Sequence, residues 1–189
     1  MSHPEVYVSV DIEAAGPIPG EYSMLSLGAC RLDAPENTFY SEFRPLNDNF
    51  VPEALNVSGL KLSDLRERGR DPAEAMTAFR EWTAGVAKNG TPVFVGFNSS
   101  FDWAFVNWYF HKFLGENPFG IGAVDIKAYY MGLTGCPWEE TKSSRLPIIL
   151  KPKRQGRGIH NALSDAIYQA GIFSRLVQER ARLLNPKRE

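Results

Sequence analysis

The stretch Val6-Tyr7-Val8-Ser9-Val10-Asp11-Ile12-Glu13 decides how the rest of the chain is read. Its letters alternate: Val6, Val8, Val10 and Ile12 fall on one side, and Tyr7, Ser9, Asp11 and Glu13 on the other. A β-strand sends successive side chains to opposite faces, so residues two apart project together. The apolar set can enter a core while Asp11 and Glu13 emerge side by side at the strand's end. Two carboxylates that close repel unless a cation lies between them, and carboxylate oxygens suit Mg²⁺ or Mn²⁺. An acidic outer face on an edge strand fits the same letters, so the pair needs support from elsewhere.

Two later segments supply it. In Val93-Phe94-Val95-Gly96-Phe97-Asn98-Ser99-Ser100-Phe101-Asp102, a short apolar strand runs into a polar turn whose Asn98, Ser99 and Ser100 are good helix caps. Phe105, Val106, Tyr109, Phe110, Phe113 and Leu114 then recur at helical spacing. Asp102 falls on the same stripe in the first turn, where a carboxylate points inward and gains from the helix dipole. The second segment, His160-Asn161-Ala162-Leu163-Ser164-Asp165-Ala166, opens another helical pattern carried by Ala162, Ala166, Ile167, Ala170, Phe173 and Val177. Taken singly, Asp102 fits an ordinary first-turn acid, and His160 with Asp165 fits a surface pair.

Together these three segments resemble the motifs of the DEDD exonuclease superfamily, in its His-containing (DEDDh) branch. Val10-Asp11-Ile12-Glu13 matches the first motif and is followed by a small-residue turn, Ala14-Ala15-Gly16. Gly96-Phe97-Asn98 with Phe101-Asp102-Trp103-Ala104-Phe105 matches the second, and His160 through Asp165-Ala166 the third. The order is right, and the resemblance covers nearly the whole chain. It implies that Asp11, Glu13, Asp102 and Asp165 hold two divalent metal ions, Mg²⁺ or Mn²⁺, with His160 as general base. It also implies removal of nucleotides one at a time from a 3′ end. In the family the turn after the first motif receives the terminal nucleotide, which makes Ala14, Ala15, Met24 and Leu25 candidate contacts to the last base or sugar. The turn here carries Pro17 and Pro19 and departs from the common Thr-Thr-Gly form.

The chemistry agrees. Phosphodiester hydrolysis needs a nucleophile in line and a sink for charge on the attacking and leaving oxygens, which a two-metal site provides. His160, with a reference pKa near ~6.5, suits proton removal from the attacking water. His3 lies near the N-terminus, and His111 sits in an aromatic-rich helical stretch with no acidic neighbour in sequence. Asp125 could be counted as a fifth ligand, but its position before Ile126-Lys127-Ala128-Tyr129 favours a helix cap. Trp103 and Trp108 could stack bases, but core packing explains them better.

Composition bounds the rest. The 189 residues are 43% hydrophobic and carry a net charge of −1, enough to bury one core and without the overall basicity common in nucleic-acid binders. Two cysteines, Cys30 and Cys136, indicate neither a disulfide framework nor a zinc site. No apolar run approaches signal-peptide or membrane-span form, so a cytoplasmic location without a membrane partner is expected. The charge is unevenly distributed. Between Thr141 and Ser164 there is no acid, while Lys142, Arg145, Lys151, Lys153, Arg154 and Arg157 are basic. Pro147, Pro152, Gly156 and Gly158 mark this stretch as a loop, and Lys151, Lys153, Arg154 and Arg157 are its candidate phosphate contacts.

Strands are expected at Val6–Glu13, Met24–Leu32, Thr38–Phe43, Pro92–Phe97 and Ile121–Asp125, the first three as an antiparallel meander and the last two parallel through helical crossovers. Asp71-Pro72-Ala73-Glu74 starts a helix, and Val51–Arg68 is a short helical connection. The expected fold is α/β, a mixed five-stranded sheet flanked by helices, in the ribonuclease-H-like form the resemblance implies, with residues 1–189 as a single exonuclease domain. The expected activity is a metal-dependent 3′→5′ exonuclease on single-stranded 3′ ends, with RNA modestly favoured over DNA and a homodimer left open as the assembly. A DNA proofreading or repair exonuclease, a catalytically silent binding module, and a phosphatase or endonuclease are the alternatives.

Overall fold

In the computed structural model, which describes residues 4–153 and 161–184, the opening alternation becomes β1 (Glu5–Ala14), the central strand of the sheet. β1 pairs antiparallel with β2 (Met24–Arg31), and β2 antiparallel with β3 (Ala34–Glu42), giving the expected meander. On its other side β1 runs parallel to β4 (Thr91–Gly96), which runs parallel to β5 (Ala123–Asp125). The order is β3-β2-β1-β4-β5, the mixed five-stranded sheet that the sequence predicts. Two boundaries differ by more than one residue. β3 begins four residues early, because the chain reverses at once after β2. β5 begins two residues late, because Gly120 turns with φ +76° and leaves Ile121 fully exposed.

Helices cover both faces. The Val face of β1 meets α3 (Pro72–Ala87) and α4 (Ser100–Leu114) in a core that includes Val8, Val10, Phe79, Phe94 and Phe105. Asp71 caps α3 by accepting from the Ala73 and Glu74 N–H groups, as its sequence predicts. The opposite face is roofed by α5 (Ile126–Thr134) and α6 (Ala162–Leu184), with Val95, Ile126, Ile172, Phe173 and Leu176 buried between. Ser9, on the carboxylate side of β1, is therefore buried as well, and its hydroxyl donates to the Ala166 carbonyl. The acids belong to the centre of the fold and not to an exposed edge. Of two short helices, α1 (Pro52–Ser58) and α2 (Leu62–Arg68), the second buries Leu62 and Leu65 against Ala15 and Leu25, and Leu55 of the first packs on that cluster.

The buried stripe of α6 differs from the expected one. Val177 is exposed and Leu176 is buried in its place, while Gln169 enters the interior. Trp103 and Trp108 pack against the first core, as expected.

Candidate active site

Three carboxylates meet where β1 ends. One oxygen each from Asp11, Glu13 and Asp165 lie within 4.8 Å of one another. Asp11 and Glu13 share a face of β1 through the period of two and stand opposite Gly28 and Ser26 of β2. Directly beyond Glu13 the ladder slips, with Ala14 facing Met24 and Leu25 left as the extra residue. Such a bulge ends regular pairing and bends the strand, here at the start of the small-residue turn.

Asp165 arrives from α6, whose first turn lies on the sheet itself. A Cβ on Gly28 would sit 2.2 Å from the Leu163 nitrogen and 2.3 Å from the Ala162 carbonyl carbon. Only a glycine lets the helix backbone come that close. Asn161 caps the helix by accepting from Leu163 and Ser164 N–H.

Asp102 enters from α4 and is only 5% exposed. Its Oδ1 accepts from the Ile12 N–H at 2.9 Å, a bond that ties it to the peptide between the two β1 acids. Asp102 is not one of the three acids whose oxygens lie within 4.8 Å of one another, but its charge acts on Glu13. Burial pushes the Asp102 carboxyl above the usual range, partly opposed by the Ile12 hydrogen bond. Glu13 is pushed further, from 4.5 to about 8, by burial first and then by the charges of Asp165 and Asp102. Acids crowded this closely favour a cation among them, and an all-carboxylate donor set matches hard divalent ions. The donor set fits the group that the sequence implies.

Asp125 acts as a cap, as expected. Its Oδ1 accepts from Ala128 N–H at the start of α5, and its Oδ2 from Ser99 N–H at 2.6 Å at the start of α4. Ser99 makes no side-chain capping bond. The cap of α4 thus comes from a neighbouring strand end, contrary to the local expectation. Asn98 takes a left-handed turn with φ +66°.

A cavity of about 180 Å³ opens on the cluster, lined by Asp11, Asp165, Phe97, Ser143, Tyr168 and Gln169. The sequence did not single out Ser143, Tyr168 or Gln169. Of these, only Gln169 had a signal, as a polar letter within the apolar stripe of α6. His160, Arg154 and Arg157 lie outside the described residues. Lys153 is exposed, and Lys151 donates to the Ser144 carbonyl. Ala14, Ala15, Met24 and Leu25 are all buried. The Met24 N–H donates to Tyr109 Oη and the Ala15 carbonyl accepts from Val51 N–H, so the turn is held from behind.

Residues 8–173 match the RNase T family model, described as an exonuclease. The chain belongs to the DEDDh 3′–5′ exonuclease family. Enzymes of this family use divalent metals, and the acid cluster of this exonuclease fits that use. It is 50% identical over 170 residues to the 3′–5′ DNA exonuclease Cap18 of Escherichia coli, covering 89% of this chain and 90% of that protein. Its fold, the ribonuclease-H-like one, is that of the nuclease domain of 3′hExo, a DEDDh family member bound to rAMP, with a TM-score of 0.73 at 18% identity over 92% of each chain. It is also similar to the zinc-bound E. coli ExoI–ssDNA complex, with a TM-score of 0.65 at 18% identity over 96% of this chain and 42% of that one. No helix among the described residues is long and apolar enough to cross a membrane.

Proposed function

We propose that this exonuclease shortens single-stranded DNA from its 3′ end, with Asp11, Glu13, Asp102 and Asp165 holding two divalent cations and His160 acting as general base. The observation that carries this is the meeting of three acids from the first and third motifs within 4.8 Å. When bound, Mg²⁺ or Mn²⁺ supplies a sink for charge on the attacking and leaving oxygens. Asp11 and Glu13 are aimed by strand pairing, Asp165 by the seating of α6, and Asp102 by its bond to Ile12. His160 takes the proton of the attacking water. Ala14 and Ala15 form the turn that receives the terminal nucleotide, with the buried Met24 and Leu25 beside it. Lys151, Lys153, Arg154 and Arg157 neutralise phosphates farther along the strand.

The relative at 50% identity supports DNA over the RNA preference drawn from sequence. The family match over residues 8–173 supports reading the chain as one catalytic domain. A homodimer forms no part of the proposal.

The test is a time course with 3′-end-accessible DNA and RNA oligonucleotides of one sequence, beside a circular single-stranded DNA, in Mg²⁺ and in Mn²⁺. Linear DNA should shorten in single-nucleotide steps, RNA more slowly, and the circle should stay intact. Faster loss of RNA overturns the substrate, and a cut circle overturns the exonuclease mechanism.

A further inference from the structure

The parallel ladder between β1 and β4 runs from Glu5 opposite Thr91 to Ser9 opposite Val95 and stops there. In the next step β1 carries Val10 and Asp11, while β4 ends at Gly96, still paired with Asp125 of β5, and the chain turns from Phe97. Backbone groups buried at such a place need partners. Gln169 supplies them from α6. Its Nε2 donates to the Val10 carbonyl at 2.8 Å, and its Oε1 accepts from the Phe97 N–H at 2.7 Å. The side chain is 3% exposed, so the bridge is made out of solvent. An amide inserted between a donor and an acceptor that would otherwise meet directly widens the gap between the strands by its own breadth. The cavity on the acid cluster opens at that gap, with Gln169 in its wall.

Gln169 stands four residues after Asp165, one helical turn along the same face. Its partner Val10 directly precedes Asp11. The two acids are thus joined through one turn of α6, one side-chain amide and one peptide. We propose that Gln169 is a positioning residue: its two hydrogen bonds hold β1 and β4 apart and fix α6 on β1, so that Asp165 and Asp11 come together as one ligand cluster. The amide is matched to this task, because it donates at one end and accepts at the other. A carboxylate could not donate to Val10, and an apolar side chain would leave both backbone groups unpaired. This inference rests on the ligand roles given above to Asp11 and Asp165.

The test uses Gln169→Met, of equal length without the amide, and Gln169→Asn, which keeps the amide one methylene shorter. Mn²⁺ binding to the full-length protein without nucleic acid is measured by calorimetry, together with the Mn²⁺ concentration giving half-maximal exonuclease rate. Both values should rise about 10-fold or more, the usual cost of losing a group that orients metal ligands. Gln169→Asn decides if Gln169→Met does not fold. Asp165→Asn is the control. If it loses Mn²⁺ binding while a folded Gln169 variant binds Mn²⁺ like the parent, the positioning role is overturned even where the variant melts earlier. If Asp165→Asn itself binds Mn²⁺ normally, the ligand assignment is what fails.

Discussion

Glu13 and Asp102 are carboxyls that the fold holds against their own ionisation. For Glu13 the sign is clear. Its carboxyl is raised from 4.5 to about 8 by burial and by Asp165 and Asp102, so between those values the folded protein keeps a proton that the unfolded chain releases. Without divalent cations, stability should fall as pH rises from about 4.5 to about 8, because the unfolded state then binds fewer protons. Urea midpoints in EDTA at pH 5 and pH 8 measure this, and Glu13→Gln should lose less between them, keeping the part that Asp102 contributes. Equal losses in the two proteins would mean that Glu13 is not the strained group. Asp102 gives a second expectation. Asn keeps an oxygen for the Ile12 N–H and removes a buried charge, so Asp102→Asn should melt no earlier than the parent in EDTA. Its single-turnover rate should still drop by about 10² or more, the scale of losing one preorganised electrostatic group. A variant that cleaves at the parent rate in saturating Mg²⁺ would remove Asp102 from the site.

At the scale of elements, the site depends on α6 lying directly on β2. A methyl group at position 28 would meet the Leu163 and Ala162 backbone at 2.2–2.4 Å, so Gly28→Ala should lift the first turn of α6, which carries Asp165. Overpacking of this kind costs about 1–3 kcal/mol. Thermal melting should register that loss, and exonuclease activity should fall in the surviving folded protein. Full activity at unchanged melting temperature would show that α6 can shift without cost. The acids and strands that frame this contact were legible in the sequence because their signals are local. Alternation marked β1, and a buried stripe marked α4. What escaped was set by packing between elements. Gly28 looks like an ordinary strand glycine until a helix crosses it. Ser99 looks like a cap, but Asp125 does the capping from β5. Gln169 looks like a break in a stripe, but the strands diverge beneath it. Leu176 replaced Val177 because α6 is rotated by what it covers, which no single helix encodes.

Over the whole molecule the net charge is −1, yet the substrate is a polyanion and the catalytic centre is a cluster of acids. Attraction must therefore come from an uneven distribution, and the proposed function assigns it to the acid-free stretch between Thr141 and Ser164. Part of that stretch is already engaged on the surface. Lys142 pairs with Glu139 at 2.6 Å and Arg145 pairs with Glu140, exposed ion pairs of the sort that contribute little stability and exchange readily. Lys151, Lys153, Arg154 and Arg157 follow, closer in sequence to the third motif. Each phosphate neutralised on a single strand adds about 0.7 to the slope of log K against log salt. Replacing these four residues by Ala should weaken DNA binding at low salt and flatten the slope by about 0.7 for each phosphate no longer neutralised. Binding is measured on an Asp102→Asn background, so that the strand survives the titration. Turnover at saturating substrate, measured without that substitution, should change less than affinity if, as proposed, these side chains act on phosphates away from the reacting one. An unchanged slope would place the loop off the path of the strand, and a loss confined to turnover would bring it into the catalytic centre instead.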